Sequence, residues 1–532
     1  MIAAQGSTLL GLHITINSGL DQSTSTQSHD SKQSGLTVAV SIGAVNAAQT
    51  VQQMKQLGGQ VKDKRTQALA AATSALAVSN AVSGGLTNAS VSATYGSSES
   101  HSDSTQTSSK SSGSTLKAGG NLNLVATQSN SLAPKGGEGW GEGVNSRGGN
   151  ITIQGSDIKA GNNISLAADN DINLLADQST ANQTSHNSSS SSGVGVAAST
   201  NGGVGVTANA ASGRGNADGN DVTYTNSHLD AGNTLTLKSG GNTTLKGATA
   251  NGKQVVADIG GNLNIESLQD TSSYASKQES YSASVTVGPK SGGSASASQS
   301  KINGTYASVK EQSGFKAGDN GFQVNVKGNT NLNGGVIEST QAATDNNANT
   351  LTTATLTTSD LHNTSEYDAQ SISVSGGTNG VAPPMALNAG DKTDSTTKSG
   401  ISVAAIKITD DAKQKQLTGK DGKETVASLN RDVKTGKDTS GAIGNNLDVN
   451  EVQTAMTVTQ AFTQQAGTFV ASQAQKSDKL KAEGEAKQKL ADKETDPARK
   501  QQLIAEAKDL SQQAKDSEAD SKLWQPGGTY RQ

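Results

Sequence analysis

The sequence predicts a mainly β protein: a right-handed parallel β-helix, or solenoid, with long Ser/Gly-rich insertions, an α-helical insertion and an α-helical C-terminal tail. Three observations predict it. The chain has 532 residues, of which only 2% are aromatic, too few to anchor several compact cores. Short phrases rich in Gly and Asn recur along it. Within each phrase aliphatic and polar residues alternate, as they do along a β-strand.

Two kinds of phrase recur. The first contains a Lys/Asp-Ala-Gly corner followed by an alternating run, at 116–124, 158–166, 229–237 and, in shortened form, 315–319. The second is a Gly-Asn or Gly-Gly-Asn corner before such a run, at 149–153, 241–245, 261–265 and, more loosely, 328–332. Asn242 and Asn262 are 20 residues apart. This recurrence is typical of a repeat architecture.

The phrases predict the coils of a solenoid. Each strand is too short to be stable as an isolated hairpin, but stacked coils about 4.8 Å apart would pair their backbones and extend one aliphatic column. We expect the Gly and Asn before each strand to adopt positive φ at tight corners, and the repeated Asn to form side-chain ladders. The alternatives are a β-sandwich, which favours longer strands and more aromatic residues, and a disordered Ser/Gly linker.

Insertions interrupt the repeats. Residues 97–114 and 185–192 are almost wholly Ser, Thr and other polar residues, and they adjoin alternating runs at 91–95, 193–197, 203–207 and 282–287. These segments are either extended β-hairpins projecting from the column or disordered flaps. The clean alternation of 282–287 favours hairpins.

Two regions are predicted to be helical. Residues 45–81 contain no Pro and are rich in Ala, Gln and Lys, with Gly58 and Gly59 expected to divide them into two helices. After about residue 450, Ala, Gln, Lys and Glu dominate. Asp496 and Pro497 combine an N-cap residue with a first-turn Pro, which predicts a helix from there to about Ser517. The mixed charges of this tail are expected to be solvated.

These patterns divide the chain into six parts. The expected division is a partial repeat unit at 1–44, a helical insertion at 45–85, a Ser-rich β-like insertion at 86–112, the repeat solenoid with its insertions at 113–380, a linker or weakly ordered segment at 381–446, and a helical tail at 447–532.

Charge and composition exclude several classes of protein. The net charge is −4, so no basic field favours a nucleic-acid or anionic-membrane partner. Because the chain has no Cys, it can form neither a disulfide nor a thiolate zinc site. No run of about 18 apolar residues predicts a membrane span. The chain begins without a basic segment and long apolar run, so if the protein is secreted we expect its export signal on sequence outside this chain.

The search for chemistry predicts no catalytic, cofactor-binding or metal-binding residues, no cofactor, and no enzyme. The six His, at 13, 29, 101, 186, 228 and 362, are scattered without ligand spacing or neighbouring carboxylate clusters. Asp169 and Asp171 could serve a polysaccharide-cleaving β-helix, but two acids at a corner are more typical of a turn.

Two further motifs are incomplete. Residues 193–198 and 203–208 match G-x-G-x-x-A without the flanking strand, helix and acid of a dinucleotide site. Residues 137–143 hint at a calcium-binding nonapeptide but lack its Asp spacing.

The phrases KAGGNLNL (117–124), AGNNISLAADNDINLLA (160–176) and SGGNTTLKGA (239–248), together with the Ser-rich insertions, resemble the haemagglutinin repeats of filamentous haemagglutinin-type exoproteins of two-partner secretion systems. More narrowly, they resemble the second repeat region of contact-dependent growth inhibition toxin exoproteins. Residues 361–374 are similar to the end of that region, and 524–532 to the motif that opens the pretoxin segment.

The resemblance implies a secreted protein displayed at the outer-membrane cell surface. Its implied partners are an outer-membrane two-partner secretion transporter and a target-cell envelope or receptor, with an immunity protein only through a toxin domain that this chain lacks, and no nucleic acid. The implied function is a non-catalytic stalk and translocation region that helps deliver a toxin. The alternatives are an adhesin binding host cells or matrix and a polysaccharide-active enzyme. Because the chain starts within a repeat and stops as the pretoxin segment opens, we expect a fragment of a longer protein.

Overall fold

A computed structural model describes residues 2–3, 6–85, 88–127, 149–200, 203–289, 291–378 and 380–524. Strands form 54% of the structure. In the first half of the chain the elements are β1 Ile2–Ala3, β2 Ser7–Gly11, β3 His13–Ile16, β4 Gly19–Ile42, α1 Gly43–Gln60, α2 Lys64–Gly84, β5 Ala89–Ser112, β6 Thr115–Ala118, β7 Leu122–Ala126, β8 Asn150–Gln154, β9 Asp157–Ala160, β10 Ile164–Ala168, β11 Ile172–Leu175, β12 Asp177–Ser199, β13 Gly203–Thr225, β14 Ser227–Ala231, β15 Thr234–Ser239 and β16 Thr243–Lys246.

In the second half the elements are β17 Ala248–Gly252, β18 Gln254–Ile259, β19 Leu263–Glu266, β20 Gln269–Val287, β21 Gly292–Val309, β22 Gly314–Ala317, β23 Phe322–Asn333, β24 Val336–Glu338, α3 Gln341–Asp345, β25 Thr350–Ser359, β26 Leu361–Gly377, β27 Gly380–Val381, β28 Met385–Thr397, β29 Gly400–Ile401, β30 Ala405–Ile408, α4 Asp411–Thr418, α5 Gly422–Ala427, α6 Val449–Lys493 and α7 Pro497–Leu523.

The short strands stack into three parallel ladders, which confirms the predicted solenoid. The first ladder is β1, β6, β9, β14, β17, β22, β24 and β29. The second is β2, β7, β10, β15, β18, the start of β23, β25 and β30. The third is β3, β8, β11, β16, β19, the end of β23 and the end of β25. A complete coil contributes one strand segment to each ladder.

The core is the aliphatic column that the alternating phrases predict. In the second ladder Leu124, Leu166 and Leu237 occupy the same register and are fully buried. Ile153, Leu174 and Leu245 do the same in the third ladder. Within each of these strands, the polar residue between two buried aliphatic residues points outward, because successive side chains of a strand face opposite sides. Aliphatic side chains therefore fill most of the lumen.

The corner glycines are needed for two different reasons. Gly149, Gly155 and Gly247 have the positive φ that the sequence predicts, at 93°, 53° and 63°. Gly240 and Gly260 do not have a positive φ. A Cβ on Gly240 would lie 2.1 Å from the carbonyl oxygen of Asp169, one coil away, and a Cβ on Gly260 would lie 2.2 Å from that of Gly240. At these positions the close approach of successive coils requires glycine.

The corner asparagines are also different from the prediction. Among the described residues Asn347 is the only non-glycine residue with a positive φ, so the expected positive φ at the repeat Asn is wrong. The expected side-chain ladder is present. Asn242 donates its backbone N–H to Asp171 Oδ1 (2.7 Å), and Asn262 donates its own to Asn242 Oδ1 (2.8 Å). The ladder continues to Asn329, so these side chains complete backbone hydrogen bonding at the corner.

The Ser-rich insertions are ordered hairpins. They leave the solenoid after a third-ladder strand and return to the first ladder, and they pair side by side into one antiparallel sheet. We call this sheet, formed by β4, β5, β12, β13, β20, β21, β26, β27 and β28, the hairpin sheet. In its outer part, Ser282 and Ser296 are hydrogen-bonded between strands at 2.7 Å. The pairings confirm the hairpin interpretation over disordered flaps.

The helical insertion sits at the tip of the β4–β5 hairpin, where α1 and α2 follow one another. The expected break at Gly58 and Gly59 is wrong, since both lie inside α1. The break comes at Val61, and Asp63 caps α2 by accepting from the backbone N–H of Arg65 and Thr66. A capping side chain therefore decides the boundary.

In the tail, α7 begins as predicted, with Asp496 as N-cap and Pro497 in the first turn. It runs on to Leu523, past the expected end near Ser517. We use the name helical bundle for α1, α2, α6 and α7.

Residues 381–446 are not the linker or weakly ordered segment that the sequence predicts. They hold β28, which extends the hairpin sheet, and β29 and β30, which continue the first and second ladders. The short helices α4 and α5 follow. Residues 429–446, which we call the strap, then run beside the first ladder to the base of the hairpin sheet. Thr435 Oγ1 donates to Ala317 O (2.7 Å) and Asn446 N to Ser365 Oγ (2.8 Å). Tertiary hydrogen bonds order this polar segment.

Candidate functional site

The two corner acids serve the solenoid. Asp171 is a rung of the Asn ladder: its N–H donates to Asn150 Oδ1 (3.1 Å) and its Oδ1 accepts from Asn242. Asp169 accepts a hydrogen bond from Thr127 Oγ1 at 2.8 Å. These contacts favour the structural interpretation of the pair over the catalytic one.

The glycine motifs lie in strands. Residues 193–198 are in β12 and 203–208 in β13, and the two strands pair, with Gly195 opposite Thr207. Neither motif therefore has the strand–turn–helix context that a dinucleotide site requires among the described residues. Residues 137–143 lie outside the described residues.

Two histidines each lie between two carboxylates, an arrangement that the sequence did not reveal. The ring of His101 lies between Asp30 (2.5 Å) and Asp103 (2.7 Å) on the hairpin sheet. His228, on β14, lies between Asp157 (2.8 Å) and Glu311 (2.9 Å). The expectation of histidines without clustered carboxylates is therefore wrong. Within the described ranges, no group of three or more His, Asp or Glu could hold a metal ion.

The His228 cluster joins neighbouring coils to the end of a hairpin. Hydrogen bonding to Glu311 raises the pKa of His228 to about 9, against the opposing effect of burial, and Asp157 adds to the rise. Burial would raise the pKa of Glu311, but the hydrogen bond and charge of His228 lower it overall. The imidazolium is thus held between two acids at neutral pH, as a structural ion cluster.

A buried glutamate lies beside the strap. Glu338, on β24, is 3% exposed, and burial raises its pKa to about 7 against the favourable charge of Lys316, its neighbour on β22. Thr435 of the strap donates its N–H to the carbonyl oxygen of Ser339, the residue after Glu338, at 3.1 Å. The strap therefore packs against β24, the strand on which the Glu338 carboxyl is removed from water.

One face of the hairpin sheet holds α6. Thr463 and Ser373 hydrogen-bond through their hydroxyls at 2.6 Å. Gly467 lies so close to the sheet that a Cβ there would be 2.8 Å from Ser375 Oγ. Further along, Val452 and Met456 pack with the sheet residues around Ile302. Small residues thus let the long helix lie directly on the strands.

The helices at the hairpin tip return to α6. Lys62 donates its backbone N–H to Glu451 Oε1 (2.7 Å), and Asn80 Nδ2 donates to Gln465 O (3.0 Å). Met54 of α1 and Val458 of α6 are buried in the same small core. The helical insertion and the tail, more than 350 residues apart, therefore form one unit on the hairpin sheet.

The second tail helix packs antiparallel to α6. Lys481 pairs with Glu518 at 2.6 Å, and Lys487 pairs with Glu506. The mixed charges are therefore paired between helices as well as solvated, although exposed pairs contribute little to stability. Trp524 lies between Phe462 and Phe469, with ring centroids 6.0 and 5.9 Å away. This aromatic contact fixes the end of α7 on α6.

Asn363 and Gln414 are two of the buried amides that sequence reasoning missed. Asn363 is fully buried; it accepts from Val309 N (2.9 Å) and donates to Thr397 Oγ1 (3.0 Å), joining hairpin strands. Gln414 of α4 accepts from Leu356 N (2.7 Å) and donates to Leu356 O (2.9 Å), as the backbone of a further coil would. Asn363 lies in the 361–374 segment that the resemblance singled out, but no signal in the sequence marked Gln414.

In the part of the chain that the structure describes, no helix has both the length and the apolar character needed to cross a membrane.

Comparison with known proteins agrees with this architecture. Residues 93–283 match the hemagglutinin repeat family model. Toxin CdiA of Escherichia coli is 35% identical over 88% of this chain, and tRNA nuclease CdiA of Escherichia coli strain NC101 is 37% identical over 81%. Deoxyribonuclease CdiA of Yersinia pseudotuberculosis serotype O:3 strain YPIII is 34% identical over 85%. No solved structure matches the chain.

The matches cover only part of these relatives. The chain spans 15% of the length of the first, 13% of the second and 42% of the third. The parallel ladders and the corner phrases form a β-solenoid, and residues 93–283 match hemagglutinin repeats. Along most of its length the chain is similar to the repeat region of CdiA-type exoproteins, as its sequence predicts.

Proposed function

We propose that this chain is a non-catalytic stalk and translocation region of a surface-displayed contact-dependent growth inhibition toxin exoprotein. One observation carries the proposal. Relatives named for different activities, a tRNA nuclease and a deoxyribonuclease, share this same segment at 37% and 34% identity. A segment common to different nucleases does not determine which nucleic acid is cut, so its role is one that both toxins need.

The geometry supports a scaffold role. Asp169 and Asp171 are used in the solenoid, and His101 and His228 are each held between carboxylates. Enzymes instead gather acids and bases around a concave substrate site. The proposed partners are those of the resemblance: an outer-membrane secretion transporter on the producing cell, and the envelope or a receptor of the target cell.

The experiment removes a hairpin and keeps the solenoid. Leu175 and Ser227 flank the β12–β13 hairpin, and they stack on Lys246 and Ala248, which a single glycine, Gly247, connects. Replacing 176–226 by one Gly in the full-length exoprotein therefore reproduces a corner already present in the chain. The assay measures surface display, attachment to target cells and target growth inhibition. We expect display and attachment to persist while inhibition falls at least about tenfold.

A matched control separates delivery from general damage. Gly59→Ala lies in α1 with open space around it and should leave all three readouts unchanged. If the hairpin deletion leaves inhibition intact, the translocation proposal fails. If attachment is lost together with inhibition, the adhesin alternative is favoured.

A further inference from the structure

The hairpin sheet has a second face, opposite α6, that is apolar in its outer half. Val38, Ala93, Val196, Val206 and Val287 form one row across five neighbouring strands, in register. The next row toward the solenoid begins with Leu36 and Tyr95 and is equally apolar. We call this surface the apolar face. Its residues alternate with those on the α6 side, so the two faces are distinct.

The apolar face is exposed. Tyr95 is 67% exposed, Val206 54% and Val287 63%. Together its large side chains present on the order of 1,000 Å² of apolar surface, where the largest patch of a monomer is typically about 300–600 Å². A stable protein interface needs about 800 Å² from each partner. The apolar face is therefore large enough for a stable dimer.

The border of the face carries both signs of charge. Toward the solenoid, Lys32 pairs with Glu99 at 3.5 Å and Arg214 with Glu279 at 2.5 Å. A border of paired charges produces no positive field for anionic lipid headgroups. A second copy of the chain, related by a two-fold axis, can instead match this charged border, because the acids of one molecule then meet the bases of the other.

The edges of the sheet also favour a protein partner. β4 forms one edge of the hairpin sheet, and its outward backbone groups have no strand partner in the described residues. Open strand edges are not tolerated in the hydrocarbon of a bilayer, but they are compatible with a second sheet stacked face to face about 10 Å away.

We propose that the apolar face binds the same face of a second copy of this chain, so that two molecules associate through their hairpin sheets. The interface is two-fold and sheet-on-sheet, with the valine rows of the two copies in contact. This inference goes beyond the proposed function and does not depend on it.

Charge substitutions test the proposal on the full 532-residue chain by sedimentation equilibrium. The wild type should dimerise, and Val206→Glu and Val196→Glu should each raise the dimer dissociation constant at least about tenfold. The control is Leu490→Glu, which changes an equally exposed apolar residue (58%) on α6 and should leave dimerisation unchanged. Unchanged melting temperatures would show that the variants fold. A monomeric wild type, or equal effects of all three variants, would overturn the proposal.

The absence of Cys allows a second, independent test. Val206→Cys on the apolar face should form an intermolecular disulfide under mild oxidation. Ser282→Cys, on the opposite face of the outer sheet, should not. Equal cross-linking at both positions would contradict the proposed interface. If the wild type remains monomeric but binds phosphatidylethanolamine–phosphatidylglycerol vesicles, and Val206→Glu does not, the face binds lipid and the dimer proposal fails.

Discussion

At the scale of single residues, the repeat phrases record contacts between coils more than local conformation. Gly240 and Gly260 have ordinary φ and are glycine because the next backbone leaves no space for a Cβ. Asn recurs at positions 242 and 262 of successive coils because each side chain accepts a hydrogen bond from the backbone of the next coil. The sequence alone predicted the positions of both residue types but assigned them a turn conformation.

The glycine contact predicts a stability effect. Gly240→Ala should lower the free energy of unfolding by about 2–4 kcal/mol, because backbone must move to make space for the new Cβ. Chemical denaturation followed by circular dichroism measures it. Gly59→Ala, in a helix with open space around it, should instead be neutral or stabilising by up to about 1 kcal/mol. Equal effects of the two substitutions would refute the close-contact explanation.

His228 predicts a pH dependence. Its pKa is raised from 6.5 to about 9 in the folded chain, so its stabilising contribution is complete below about pH 6.5 and is lost as the pH rises through 9. His228→Gln should therefore cost about 2 kcal/mol at pH 6, a figure reduced because the side chain is 32% exposed. Much less of this difference should remain at pH 10.

Denaturation midpoints of the wild type and the variant at pH 6, 8 and 10 measure this effect. Glu311→Gln removes the main partner of His228 and should reduce the pH dependence in the same way. A difference between wild type and His228→Gln that stays constant across this range would show that the ion cluster does not contribute.

At the scale of elements, the sequence predicted what repeats locally and missed what depends on distant contacts. The ladder strands, the hairpins and the start of α7 follow from alternation and capping. The order of 381–446 does not, because the strap is held by partners such as Ala317 and Ser365 that are far away in sequence. For the same reason the packing of α1 and α2 on α6 could not be predicted from periodicity.

Gln414 offers a test of how the column ends. Gln414→Leu should leave the buried N–H and C=O of Leu356 without their partner and cost about 3 kcal/mol. The matched change Gln416→Leu, at an exposed position of the same helix, should stay within about 0.5 kcal/mol. Urea denaturation of both variants gives the comparison. A neutral Gln414→Leu would mean that the amide does not replace a further coil.

At the scale of the whole molecule, a solenoid, a hairpin sheet and a helical bundle are built along one chain, and the insertions are separable from the coils. Replacing 176–226 by Gly should leave the amide protons of 172–175 and 243–246 protected, because the ladder bonds between β11 and β16 remain. Hydrogen exchange with mass spectrometry measures this protection. Rapid exchange at both segments would show that the hairpin is needed to hold the coils together.

The hairpins all emerge at the corner between the third and first ladders, and this has a mechanical consequence. Their strands follow the order of the coils, so their backbone hydrogen bonds run roughly along the same axis as those of the ladders. A force that stretches the rod end to end must therefore break the hydrogen bonds of the ladders and of the hairpin sheet together. The coils that carry hairpins should resist pulling more strongly than a bare repeat, and the structure should yield first where a coil has no hairpin beside it.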